Sequence, residues 1–342
     1  MKKLFLFSIL FLAALAFAQD GKIIGYFPNW AQYSQFTPAN VRYNLLTEVR
    51  YGYVVPSGSE LAFADDSDKA NFLDLVKRAR GAKVKITVSV GGLGNEGAMS
   101  EAYSNSAGFV RAAAAFKNEY GIDGFELDGG AIDASGAGNL VKLANELAKE
   151  NISVSIAVPG EEALASALGD VGKIDAVSLW FTDAASANEP AVKSNSNNVF
   201  NARVLDAFVS AGIAASKLIA IVPFYGKTFY KANGLGSSHE GTGSGNDGVL
   251  PYKDILEKFN KKNAYSVTFD EASKSEVAVS ENETIVFNGV PSMQAIAKTV
   301  KDSGYGGVAV FDVSGDHREP IVSLLVSIGQ ILRPEVDYSK KK

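Results

Sequence analysis

Cysteine is absent from this 342-residue chain, and histidine occurs only twice, as His239 and His317. No disulfide can form, so the fold must rest on its core, and a zinc site or a histidine-based triad lacks its usual groups. Basic charge is not in excess: 33 Lys and Arg face 38 Asp and Glu, a formal net charge of −5. Such a surface does not attract a phosphate backbone, so nucleic acid is not an expected partner. Internal repeats are missing as well. What remains is an ordinary globular balance, 46% hydrophobic and 21% charged with 33 Gly and 10 Pro, which excludes disorder, collagen and a small stapled scaffold.

Long apolar runs are also lacking, with one exception at the start. Lys2 and Lys3 precede the run Leu4 to Ala16, and Ala16-Phe17-Ala18 before Gln19 is a small-x-small cleavage pattern. The run is shorter than the ~20 residues of a membrane span. Residues 1–18 are therefore expected to be a signal peptide and residues 19–342 the mature chain. Removing Lys2 and Lys3 from the 33 basic residues leaves 31 against 38 acidic ones, a net charge of −7. Export without cysteine points to a bacterial periplasmic or secreted protein, with no membrane attachment once the leader is gone.

Along the rest of the chain, short apolar runs alternate with amphipathic segments of helical period, as in parallel strands joined by crossover helices. Eight strands are predicted: Lys22 to Tyr26, Leu46 to Val55, Lys83 to Val90, Gly124 to Asp128, Ser153 to Val158, Ala176 to Phe181, Leu218 to Phe224 and Gly307 to Phe311. Helices are predicted between them, for example Lys69 to Arg80, Ala107 to Glu119, Gly138 to Glu150, Asn201 to Ala211 and Ser292 to Ser303. Eight such units close a (β/α)8 TIM barrel, an α/β fold. The stretch 227–287 is too long for one connection. With a helix at Pro251 to Lys261 and strand-like runs at Tyr265 to Asp270 and Thr284 to Phe287, it predicts a small α+β insertion walling a groove.

A barrel of this kind carries function at the C-terminal ends of its strands. Those ends hold Tyr26 and Trp30, Ser89-Val90-Gly91-Gly92, Asp123-Gly124-Phe125-Glu126-Leu127-Asp128-Gly129-Gly130, Trp180 to Asp183, Pro223 to Gly226, and Phe311-Asp312. Alternation turns Glu126 and Asp128 to the same inward face. Rings at strand ends can stack on sugar faces while carboxylates accept hydroxyl or amide hydrogens. Tyr53 is expected to pack inside the barrel.

Taken in order, these residues resemble the chitinases of glycoside hydrolase family 18. Gly25-Tyr26 with Trp30 is similar to the family's first strand, Ser89 to Gly92 to its S-x-G-G motif, and Pro223 to Phe229 to its P-F-Y-G-[RK]-x-F segment. The insertion and Gly306 to Asp316 fit the same pattern. The resemblance implies a TIM barrel, N-acetylglucosamine-containing glycans as partners, and no cofactor or metal. It also implies binding roles for Tyr26, Trp30, Gly91, Asp128, Trp180, Asp183, Tyr225 and Phe311.

The family's catalytic signature is D-G-x-D-x-D-x-E. Its final glutamate protonates the glycosidic oxygen, and the aspartate two residues earlier orients the substrate's N-acetyl group. Laid on this chain, Asp123 and Asp128 match, Glu126 stands for the middle aspartate, and Gly130 stands at the acid position. Thr182 replaces a tyrosine before the retained Asp183, and Phe311 replaces a tryptophan. Loss of a general acid removes ~10²–10⁴ in rate, so the resemblance implies glycan binding with lost or strongly reduced hydrolysis. Glu126 lies about 13 Å before the vacant position and reads as a buried core acid. Two alternatives stay open: an active glycosidase using a relocated acid among Asp133, Glu161 and Glu162, and a scaffold for a protein partner.

Overall fold

The computed structural model describes residues 21–182, 185–195, 202–260 and 264–338. The expected leader, residues 1–18, and Asp183 lie outside the described residues.

Apolar runs buried on both faces build the central sheet, as parallel strands covered by helices require. Its strands are β1 (Lys22–Pro28), β2 (Glu48–Ser57), β4 (Lys85–Gly91), β5 (Gly124–Asp128), β6 (Ser153–Pro159), β7 (Val177–Trp180), β8 (Leu218–Pro223) and β14 (Gly307–Phe311). All pair in parallel in the order β1-β14-β8-β7-β6-β5-β4-β2, and β1 also pairs with β2, which closes the barrel. The (β/α)8 fold class is therefore as predicted. Beyond the barrel rim β2 continues into a hairpin with β3 (Glu60–Ala62).

The helices are α1 (Asp66–Ala82), α2 (Glu96–Ser104), α3 (Ser106–Tyr120), α4 (Ala134–Lys149), α5 (Ala202–Ser210), α6 (Tyr252–Asn260), α7 (Val290–Asp302) and α8 (Leu324–Leu332). Four start on polar caps: Asp65 accepts from the Asp68 N–H for α1, Asn105 from Gly108 for α3, Asp133 from Gly136 for α4, and Ser323 from Val326 for α8. Such caps satisfy N–H groups that the first turn leaves without partners.

The barrel interior is divided by polarity. Ile24, Tyr26, Ala157, Ala176, Ile219, Ile221 and Ala309 fill one part with apolar contact. Glu48, Arg50, Thr87, Ser89, Glu126, Ser155 and Ser178 fill the other and are all buried.

Between β8 and β14 the chain builds a second, antiparallel sheet from β9 (Tyr225–Tyr230), β10 (Val249–Pro251), β11 (Ser266–Asp270), β12 (Ser275–Val279) and β13 (Glu283–Phe287), in the order β10-β9-β13-β12-β11. Phe229, Val277 and Val286 bury one face of it against Ala185 and Val192. The sheet thus packs on the loop after β7. Tyr225, at the start of β9, lines the main cavity, whereas none of the described residues of 227–287 does.

Candidate functional site

Aromatic rings and one buried carboxyl meet at the C-terminal mouth of the barrel around a cavity of about 890 Å³, within the usual size of a small-ligand site. Trp30, Tyr53, Asp128, Trp180, Tyr225 and Phe311 line it, with Leu93, Asn95, Glu161 and Thr182. Phe311 meets Trp180 edge-on at 5.0 Å between centroids and Trp30 at 6.1 Å. Trp30 stacks with Tyr53 at 6.2 Å and remains 43% exposed, so much of its surface faces solvent. Rings in such contact hold one another in place.

Asp128 ends β5 and points inward by strand alternation. Its side chain is buried but not isolated. Oδ2 accepts from the Tyr53 hydroxyl at 3.1 Å, and Oδ1 accepts from the Gly130 N–H at 3.0 Å and Trp180 Nε1 at 3.4 Å. Burial, and after it the charge of Glu126, push this carboxyl up to about 7, against the pull of those three donors. Near neutral pH Asp128 is thus poised to donate to a ligand or to accept from one.

Two residues deeper, Glu126 is fully buried, as its position along the strand predicts. It accepts from the Tyr26 hydroxyl, from Arg50, from Ser89 at 3.2 Å and from Ser178 at 2.9 Å. Arg50 also pairs with Glu48 at 2.7 Å. Burial alone raises the Glu48 carboxyl, but Arg50 and then Lys85 override it and hold it below the usual range. Buried charges persist when paired and hydrogen-bonded in this way. Glu126 does not line the cavity.

The structure brings together Trp30, Asp128, Trp180, Tyr225 and Phe311 of the predicted binding set. Tyr26 and Gly91 do not line the cavity with them. Tyr26 is fully buried with its hydroxyl committed to Glu126, and its ring supports Trp180 (5.7 Å) and Phe311 (5.4 Å) from below. Gly91 packs against the β5 backbone at φ +99°, where a Cβ would lie 2.5 Å from the Asp128 carbonyl oxygen. Asp123 sits at the opposite end of β5 and accepts from the Ile86 N–H at 2.8 Å. Asp183 lies outside the described residues.

Tyr53, expected inside the barrel, instead lines the cavity over Asp128. Strict alternation puts Tyr51 and Tyr53 on one face, yet Tyr51 packs outward on Phe72. The β2–β4 register shifts between Gly52 and Val54, and this irregularity turns Tyr53 inward. No local sequence signal marks it. Of the three carboxylates considered as a relocated acid, Asp133 caps α4, Glu162 forms an exposed pair with Arg203, and Glu161 lines the cavity. Among the described residues no group of three His, Cys, Asp or Glu side chains is arranged to hold a metal ion.

Comparisons with known proteins agree with this architecture. Residues 22–316 match the family described as Glycosyl hydrolases family 18. Chitotriosidase-1 of Mus musculus is 27% identical, over 89% of this chain and 75% of its own length. Among solved structures, a mutant of the Ostrinia furnacalis Group II chitinase catalytic domain 2 in complex with (NAG)5 superposes with a TM-score of 0.82 at 21% identity, covering 92% of this chain and 97% of that one. A class V chitinase mutant from Nicotiana tobaccum in complex with NAG4 gives 0.81 at 19% identity, covering 92% and 99%. At these identities the structural likeness speaks for the fold.

Proposed function

Given that the chain belongs to glycosyl hydrolases family 18, we propose that it binds chitin-like, N-acetylglucosamine-containing glycans in the barrel-mouth cavity and hydrolyses them weakly or not at all. The observation that carries this reading is the pair of residues at the end of β5. Asp128 presents a carboxyl to the cavity, while Gly130, where the family's signature has its acid, has no group to titrate. Aromatic rings beside Asp128 suit the apolar faces of pyranose sugars. The solved relatives described with (NAG)5 and NAG4 support the choice of ligand. Cleavage of the leader, with action in the periplasm or outside a bacterial cell, belongs to the same proposal.

Trp30→Ala tests it. Loss of one stacking ring, about 1 kcal/mol, lowers the affinity for a labelled chito-oligosaccharide about fivefold, read by fluorescence polarisation. Unchanged affinity contradicts the proposal.

The position of Glu161 in the cavity lining favours a second reading, in which this carboxylate replaces the acid and the protein is an active glycosidase. That reading requires release of new reducing ends from chito-oligosaccharides and its abolition by Glu161→Gln. The first proposal requires neither.

A further inference from the structure

The two peptides flanking the Cα of Gly130 are held by carboxylates from different loops. The Gly130 N–H donates to Asp128 Oδ1 at 3.0 Å. On the other side of the same Cα, the Ala131 N–H donates to Glu96 Oε1 at 3.4 Å. Glu96 opens α2, just after β4, and the same oxygen accepts from the Gly94 N–H at 3.1 Å. Its own backbone N–H, then that of Gly94, hold the Glu96 carboxyl below its usual range, assisted by Ala131 and against a small effect of burial. A carboxylate in the first turn of a helix is in a favourable place for negative charge.

Gly130 has φ +61°, a conformation glycine adopts without steric cost. A Cβ on it would lie 2.8 Å from Glu96 Oε1 and 3.1 Å from the Gly92 carbonyl oxygen. The missing side chain is what lets the carboxylate approach. Glu96 does not line the cavity, so it acts through a residue that does.

We propose that Glu96 is a positioning residue for Asp128: its carboxylate fixes the peptide after Gly130, sets the left-handed turn there, and so aims the Gly130 N–H at Asp128. The loops after β4 and β5 then form one clamp. One further bond closes it, from the Gly92 N–H to the Asp128 carbonyl at 3.0 Å, and Asn95 Nδ2 braces the loop after β4 by donating to the Gly91 carbonyl at 2.9 Å. Because the Gly130 N–H is a donor to the ionised carboxylate, the clamp favours the charged form of Asp128. The other groups that face Asp128 are Glu126 on its own strand, Tyr53 from β2, Tyr26 from β1, Trp180 from β7 and Tyr103 from α2. Arg50 stands behind Glu126.

The chain has two tryptophans. Trp30→Phe leaves Trp180, whose indole N–H donates to Asp128, as the only fluorescent indole. In that background, emission against pH is expected to show a transition near pH 7 that Asp128→Asn removes. Glu96→Ala moves this transition up by about half to one pH unit, the size of a weakened hydrogen bond to a charged group. Glu96→Gln keeps an acceptor oxygen and leaves it within about 0.3 unit. Glu96→Asp, whose carboxylate is one methylene too short to reach the Ala131 N–H, shifts the transition upward too, which decides the matter if Glu96→Ala does not fold. If Glu96 were merely a nearby negative charge, its alanine and glutamine substitutions would both move the transition down, since a lost negative charge favours ionised Asp128. That outcome, equal upward shifts for the alanine and glutamine variants, or a parent without an Asp128-dependent transition overturns the proposal. The measurement uses no ligand, so its failure is separate from failure of the glycan proposal.

Discussion

Asp128 concentrates the chemistry of this molecule in one side chain, and its ionisation should be visible in stability. An unfolded chain releases this proton near 3.8, whereas the fold holds it to about 7. Below about pH 4 both states keep the proton. Between about 4 and 7 the unfolded state binds fewer protons than the native one, so stability falls as pH rises, by about 4 kcal/mol in all. Asp128→Asn removes that slope. Denaturant midpoints of wild type and variant should therefore converge or cross between pH 5 and pH 8, and parallel profiles contradict this account. At this scale the sequence was informative where strand depth decides the outcome, as for Glu126 inside and Asp128 at the mouth. It was silent where two distant loops meet. Glu96 and Gly130 touch across 34 positions of chain, and Tyr53 reaches the cavity only because β2 breaks its alternation. Tyr26, equally aromatic and equally near a strand end, is taken by Glu126 instead.

Among the elements, the barrel strands were legible because each is a short run buried on both faces. β5, Gly124–Asp128, matches its predicted limits at both ends. α2 gives little helical period because its nine residues bury only Met99 and Ala102. α8 gives little for the opposite reason: it is apolar almost all round, with seven of its nine residues buried. In the second sheet, β12 carries Ser275 and Glu276 into buried positions, where Glu276 accepts from the Gly289 N–H at 2.6 Å, so its polar letters hid a strand. Asp133 shows how an element assigns a role. As the cap of α4 its carboxylate is occupied by the Gly136 N–H at 2.8 Å. Asp133→Ala is expected to lower unfolding free energy by about 1 kcal/mol and to leave chito-oligosaccharide affinity unchanged. A variant of full stability and altered affinity would return Asp133 to the site.

At the scale of the whole molecule, the closed barrel gathers loops from distant parts of the chain at one rim, which is how Trp30, Asp128, Trp180 and Phe311 come to share a cavity. The order of strand ends along the sequence was enough to foresee that gathering. The place of the second sheet was not, because its packing on the loop after β7 is a contact between surfaces with no local pattern. The central claim is that this cavity holds a chitin-like glycan without efficient cleavage. Calorimetric titration of an N-acetylglucosamine hexamer into the protein tests it most directly. The account predicts heats that saturate and return to baseline after each injection; a sustained heat flow after each injection, the mark of turnover, would contradict it.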